Sequence, residues 1–369
     1  MIFGERVKQA RELRGFTQVK LAELLKVTQS RIAQVEGEFR DAADSLIAEI
    51  AYHTELPLSY FSKAPENWLS AGSLLFRART SISKREITQS LRDAEHVFGL
   101  AHSMGRNLDI PVLLRAIGGE PMDAARKARA LLGFSATEPI HGLIRALEGA
   151  GVWVLAIPAL KGRDAFCCWA QAEDREIPVI VISPDCPGDR LAMNVAHEWG
   201  HLMLHKNSLG RLSPELEKEA FAFGAEFLMP EAGIRPDLRP PISLTRIASL
   251  KPKWGASIQA LVRRAYDLGV ISERQYRYLF MQISSKGWRT TEPIPITPEK
   301  PRLLKKMAEV LYGSSLPVDR IAADADMLPS EVSRILDLYD DAEMQPLAAR
   351  SRIVPFPSPA RVRKHPLPR

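Results

Sequence analysis

Cysteine is scarce in this chain. Among 369 residues there are three, Cys167, Cys168 and Cys186, and neither their number nor their spacing makes a disulfide framework or a CxxC metal site. No run of eighteen apolar residues occurs, which argues against a membrane-spanning helix. The start, Met1 to Lys8, has none of the charged, apolar and small-residue sections of a signal peptide. These absences predict a reduced, cytoplasmic protein with no membrane partner. Charge of one sign is lacking too: Lys+Arg 50 against Asp+Glu 44 leaves +6, a surplus too small over this length to name an anionic partner alone. What remains, with 46% hydrophobic residues, is an ordinary globular composition long enough for two or three domains.

The most informative stretch is His197-Glu198-Trp199-Gly200-His201, set in apolar Val195, Ala196, Leu202 and Leu204. On a helix of about 3.6 residues per turn, positions i and i+4 share one face. His197 and His201 can therefore present two imidazole nitrogens to one Zn²⁺. Glu198, beside the first of them, is placed to take a proton from a water held there. A third ligand is sought in the next helical stripe, Glu217 to Pro230, where Glu217, Glu219 and Glu226 compete. His205 lies about 12 Å of helical rise beyond His197. No glycine turn folds it back, so it reads as structural.

HEWGHLMLH followed by EKEAFAFGAEFLMP resembles the ImmA/IrrE family of metallopeptidases. The resemblance implies a zincin-like domain and places the third ligand on Glu217, with Glu219 as the alternative. It also puts Phe221 where that family has an Asn or Asp supporting a ligand histidine. That departure bears on metal affinity and on turnover.

The amino-terminal segment, residues 3–61, reads as four or five short helices. Thr17 caps one helix from Gln18 and Thr28 caps the next from Gln29. Leu21, Ala22, Leu25, Val27, Ile32 and Val35 form the apolar core of a helix-turn-helix, with small Ala22 letting the helices approach. Gln29, Ser30, Arg31 and Gln34, with Thr28, occupy the side that enters a major groove. Gln18 is placed to bond a phosphate. Phe16-Thr17-Gln18, Leu21-Ala22, Val27 to Ser30, Ile32 and Glu36 resemble the Cro/C1-type (XRE) helix-turn-helix family, whose partner is double-stranded operator DNA. Acids slightly outnumber bases in residues 1–60, so useful binding is expected to need a homodimer.

The rest is organised around these two motifs. Phe76 to Glu86 is a locally basic connector opening a helical run to about residue 107, and it resembles the linker that joins such a helix-turn-helix to an ImmA/IrrE domain. Helices are expected over Asp123–Leu132 and Ile140–Leu147. Three strands, Val152–Ile157, Ala165–Ala170 and Pro178–Ile182, predict a small sheet whose edge accepts an extended peptide. Cys167 and Cys168 read as packing on its two faces. Lys253 to Leu261 resembles a Lys-x-x-Trp-Gly-Val-Ser segment of the same family, and Tyr266, Tyr276 and Tyr278 read as aromatic core. Residues 300–340 predict two or three helices. Ile321 to Leu336 loosely echoes a helix-turn-helix, but its acidic first half favours a packing or dimerisation unit. From Arg350 the tail is Pro-rich, basic and without acids, a disordered composition.

The fold expected is mainly α with a small β-sheet (α+β): a helix-turn-helix domain at 1–66, a helical connector at 67–109, a zincin-like domain at 110–292, a helical segment at 293–345 and the tail at 346–369. The expected function is a DNA-binding regulator whose zinc peptidase cleaves a repressor-like protein in a stress or mobile-element response, as the resemblance implies. Two alternatives stand beside it. One is a non-cleaving transcription factor whose zincin-like domain senses a ligand or metal; the other is an antitoxin-like module that only recruits a protein partner.

Overall fold

A computed structural model describes residues 2–38, 42–69, 83–106, 108, 110, 115–157, 160, 164–173, 175–208 and 213–340. Connector residues 76–82 and the tail from residue 346 lie outside them.

The head is four helices: α1 (Gly4–Leu13), α2 (Gln18–Leu25), α3 (Gln29–Glu36) and α4 (Asp44–Thr54), closed by a 3-10 turn at Leu58–Ser62. The expected caps form. Thr17 Oγ1 accepts from the Lys20 amide and Thr28 Oγ1 from the Arg31 amide, satisfying amides that a helix start leaves without partners. The head has its own apolar cores, one around Val7, Ala10, Ile50 and Phe61 and a smaller one of Leu21, Ala22 and Ile32.

A long helix, α5 (Lys84–Gly105), begins with a capping box between Ser83 and Glu86 and runs beside the head, where Arg92 pairs with Glu12 at 2.9 Å. Then come α6 (Pro121–Leu131), α7 (Leu143–Gly149), β1 (Trp153–Ala156), β2 (Ala165–Ala172), β3 (Arg175–Ile182), α8 (Gly188–Leu204), α9 (Pro214–Leu228), the short α10 (Glu231–Ile234), α11 (Leu244–Trp254), α12 (Ile258–Asp267) and α13 (Glu273–Ser285). Three further helices end the described chain: α14 (Leu303–Tyr312), α15 (Val318–Ala325) and α16 (Pro329–Asp337).

The sheet order is β1-β3-β2, with β1 parallel and β2 antiparallel to β3. Ile177 to Ile182 is an almost unbroken apolar run, as a strand covered on both faces requires, and it takes the centre. Cys167 and Cys168 pair with Ile180 and Val179 and are fully buried, so both thiols are packing groups. Burial pushes the Cys168 thiol up to about 12. Among the described residues both sheet edges bond to chain outside the sheet: the Gln171 amide donates to the Trp68 carbonyl and the Ala156 amide to the Tyr339 hydroxyl. Helix α8 packs on β2 and β3, while α5, α7 and α14 meet β1. The apolar core around this sheet runs from Leu69 to Tyr339 and includes the buried faces of α14, α15 and α16.

Two devices fix α8. Gly188 at its start lies under the chain at Ile296 and Thr297, where a Cβ would fall 2.6 Å from their carbonyl oxygens. Buried Lys251 pairs with Asp189 at 2.7 Å and with Glu292 at 2.9 Å. Glu292 also accepts from the Ile258 amide at the start of α12.

Candidate metal centre and DNA-reading face

Helix α8 carries the two histidines one turn apart, fully buried, as the i, i+4 spacing requires. Their Nε2 atoms lie 3.0 Å from each other. Glu217, in the first turn of α9, brings Oε1 to 3.1 Å from His201 Nε2 and Oε2 to 3.5 Å from His197 Nε2. Among the described residues, His197, His201 and Glu217 are the one His/Cys/Asp/Glu group with donors gathered for a metal ion.

The donor set fits a divalent metal. Ligands about 2.0–2.2 Å from a tetrahedral ion stand roughly 3.3–3.6 Å apart, and the three separations here, 3.0, 3.1 and 3.5 Å, lie within a few tenths of an ångström of that range. Two neutral imidazole nitrogens and a carboxylate are borderline donors of the kind zinc takes. The two helices approach closely enough because glycines face the contact: a Cβ on Gly200 would lie 3.0 Å from the Phe223 ring, and one on Gly224 would lie 3.2 Å from the His197 backbone nitrogen. Glu198 follows His197 directly and is itself buried, with 1% of its surface exposed.

The other acids of α9 go elsewhere. Glu219 Oε2 lies 2.8 Å from His205 Nε2, and His205 Nδ1 lies 3.0 Å from His201 Nδ1. His205 and Glu219 thus form a chain behind His201, fixing its ring orientation from the side away from Glu217. Burial holds the His205 imidazole below its usual value, against the pull of Glu219. Glu226 is buried against Arg264 and lies 3.0 Å from Arg126. The Phe221 ring meets His197 edge-on, centroids 4.4 Å apart, and remains half exposed. It thus touches a histidine by ring packing at the position where the resemblance calls for a hydrogen-bonding side chain.

A cavity of about 770 Å³ is lined by Phe221, Met122, Met193 and Met229 together with charged residues that include Lys218, Arg263 and Asp267. A larger cleft, about 1010 Å³, opens around Arg126, Glu226 and Arg239 and includes none of the three donors. The smaller cavity contains none of the donors either, but it reaches them through Phe221, whose ring meets His197. Asp164 accepts from the Asn194 side chain at 3.1 Å. The Tyr276 ring packs at a tilt against both Tyr266 and Phe280.

In the head, Gln29 and Ser30 are exposed at the start of α3. Gln29 donates to Gln18 Oε1 at 2.7 Å, and Gln18 in turn donates to Glu36 Oε2 at 2.7 Å. Glu36 is held by Arg11. This chain of side chains ties the starts of α2 and α3 together and orients Gln29 before any contact with DNA. Arg31 and Gln34 are half-buried on the same helix.

Sequence reasoning missed the Lys251–Asp189–Glu292 cluster and the support that His205 and Glu219 give His201. A signal for the first was present in Lys251-Pro252-Lys253-Trp254, which places a lysine three residues before the tryptophan of the Lys-x-x-Trp-Gly resemblance.

Comparison with known families agrees with both motifs. Residues 147–266, from α7 through α12, match the IrrE N-terminal-like domain (Peptidase_M78), and residues 7–51 match the helix-turn-helix family HTH_3. The chain therefore joins an XRE-type helix-turn-helix domain to an IrrE-like domain of metallopeptidase type. Together these define a DNA-binding regulator with a peptidase-like domain. No curated protein matches the chain. No helix among the described residues is long and apolar enough to cross a membrane.

Proposed function

We propose that this protein binds operator DNA through residues 1–66 and hydrolyses a peptide bond in a repressor-like protein with residues 110–292, within a stress or mobile-element response. The observation that carries the reading is the convergence of His197, His201 and Glu217 on one point beside a cavity. These residues would hold zinc, which when bound supplies Lewis acidity toward a scissile carbonyl. Glu198 takes the proton of the attacking water on its carboxylate and delivers it to the leaving amine. His205 and Glu219 hold His201 in register, and Phe221 packs His197 from the cavity side. The apolar wall of Met122, Met193, Phe221 and Met229 receives a substrate side chain next to the scissile bond. On DNA, Gln29, Ser30, Arg31 and Gln34 read base edges while Gln18 and Thr28 set the approach to the backbone. A second copy supplies the other half-site.

The test is metal content together with cleavage of repressors encoded nearby. Wild type is expected to hold about one zinc per chain, as a single set of three protein ligands with an open fourth position implies, and Glu217→Ala to lose it. Glu198→Gln keeps the metal while cleavage falls by roughly 10²–10⁴. Metal retained in Glu217→Ala moves the ligand to Glu219, and wild type that binds no zinc ends the peptidase reading. Phe221 favours a second reading, a transcription factor that senses metal or ligand without cleaving. Zinc bound by wild type with no repressor cut, and operator affinity that changes on zinc removal, would select it.

A further inference from the structure

The last three helices repeat the head. Helix α2 spans Gln18–Leu25 and α15 spans Val318–Ala325; α3 begins at Gln29 and α16 at Pro329. The offset is 300 positions at each of these bounds, and the turns agree in detail. Lys26 and Asp326 both adopt the left-handed conformation, at φ 54 ψ 39 and φ 56 ψ 50. The Val27 amide donates to Ala22 at 3.0 Å and the Met327 amide to Ala322 at 2.9 Å. Leu21, Ala22 and Ile32 are buried in one unit, Ile321, Ala322 and Val332 in the other.

The side chains that would read DNA are not repeated. Thr28 caps α3, whereas Leu328 provides α16 with no side-chain cap. Gln29 becomes Pro329, and Arg31 becomes Glu331, which is 3% exposed. Glu331 points into the molecule, where Arg14 of α1 pairs with it and His96 of α5 lies 2.9 Å away. From the turn, Asp326 accepts from Ser59 and pairs with Lys63 at 2.8 Å, both in the 3-10 turn region of the head. The apolar faces of α14, α15 and α16 belong to the sheet core of the peptidase-like domain instead, and the hydroxyl of Tyr339, just past α16, accepts from the Ala156 amide of β1.

We infer that residues 303–339 are a second helix-turn-helix unit that has exchanged DNA reading for clasping the head onto the peptidase-like domain. Its two sides differ in kind. The apolar side is continuous with a core and cannot separate without unfolding it. The side facing the head is made of ion pairs and hydrogen bonds: those of Asp326 meet exposed Ser59 and Lys63, where water and salt replace them at low cost, and the buried Glu331–Arg14 pair regains hydration when both charges are released together. The clasp therefore releases at the head, and the DNA-reading face stays outward because the contacts lie on Arg14, Ser59 and Lys63 rather than on Gln29 and Ser30.

Hydrogen–deuterium exchange on the full chain tests this with two variants on opposite sides of the contact. Glu331→Arg sets a cation against Arg14 and His96; Ser59→Ala with Lys63→Ala removes the partners of Asp326 from the head, where both side chains are largely exposed and folding is not at stake. Each is expected to raise exchange tenfold or more at the α15–α16 turn and the end of α1, with α8 and α9 unchanged. Exchange unchanged at the contact in both variants overturns the clasp. So does exchange that rises through α8 and α9 in both, since the contact would then be an inseparable part of the core. Pro329→Ala with Ser330→Ala is expected to leave affinity within twofold for a duplex selected by the wild type from a random-sequence pool. A tenfold loss would mean that the second unit still reads DNA.

Discussion

The helix pair proposed to face DNA and the helix pair that gathers the candidate metal ligands are built alike and turned opposite ways. In α2–α3 the contact is made by Leu21, Ala22 and Ile32, and the working side chains stand outside. In α8–α9 the working side chains are inside, between the helices, with His197 and His201 fully buried. The difference shows in the residues at the crossing. Alanine suffices in the head, because the helices there need only a fixed angle. Glycine is needed at 200 and 224, because a carboxylate on one backbone must reach imidazoles on the other. A site that works outward depends on caps and turns; one that works inward depends on backbone proximity and on buried charges that hold the helices in place.

The largest effect that breaks this comparison is expected at Lys251, which touches neither site. Lys251→Ala leaves Asp189 and Glu292 buried without their cation, and breaking a buried pair this way costs about 3–5 kcal/mol. Because Asp189 lies in the first turn of α8, zinc affinity should fall with stability. Chemical denaturation beside metal titration checks it. A loss under about 1 kcal/mol, the scale of a solvent-exposed pair, would mean that Gly188 and the chain over it fix α8 alone.

Why Lys251 escaped the sequence reading is instructive. The head was legible because its signals are local: Thr17 and Thr28 cap helices that begin at the next residue, and Ala22 sits within the turn it serves. His197 and His201 were legible for the same reason, since one helical turn links them. The choice among Glu217, Glu219 and Glu226 needed the crossing angle of two helices, which no spacing along α9 supplies. Lys251, Asp189 and Glu292 are brought together from three distant parts of the chain, and each alone looks like a surface charge. The C-terminal echo of a helix-turn-helix and its packing character are legible locally, but the partners of Glu331 and Asp326, cations of the head far earlier in the chain, are not.

The junction between the two regions should respond to acid. Burial alone would raise the Glu331 carboxyl, but hydrogen bonds and charge from His96 and Arg14 hold it down from 4.5 to about 2. A depressed carboxyl contributes stability that is complete above its unfolded value, so the contribution is lost as pH falls from 4.5 to about 2. The bound is roughly 3 kcal/mol. Asp93, on α5 beside the same cations, runs the other way: burial raises it to about 6, so its contribution fades as pH rises toward that value. Glu331→Gln is expected to flatten the acid limb of a stability-against-pH curve and leave the limb near pH 6 in place. An unchanged acid limb would assign it to other carboxylates.

A smaller effect sharpens the contrast at the crossing itself. In Gly224→Ala the new methyl meets the His197 backbone nitrogen at 3.2 Å, so α8 and α9 must part by a few tenths of an ångström. Overpacking of this kind costs about 1–3 kcal/mol. Since His197 is the residue displaced, zinc affinity is expected to fall more than stability does. Equal stability and affinity to wild type would show that the helix crossing has slack. The matching change in the head, Ala22→Gly, opens the contact and should leave operator affinity nearly unaltered.

The smallest effect lies where function faces outward. Thr28→Ala removes the acceptor of the Arg31 amide, at a cost of about 1 kcal/mol to the head. The consequence for DNA is larger than a cap's worth of stability suggests, because the first turn of α3 carries Gln29, Ser30 and Arg31 together. When that turn frays, the three side chains lose their common orientation, and Gln29 loses the geometry of its bond to Gln18. Operator affinity is expected to drop at least the roughly fivefold that 1 kcal/mol represents, while zinc content stays at the wild-type value. Thermal melts and binding isotherms on one preparation separate the two. Stability lost with affinity intact would mean that the Gln29–Gln18–Glu36 chain, rather than the cap, holds the reading turn in place.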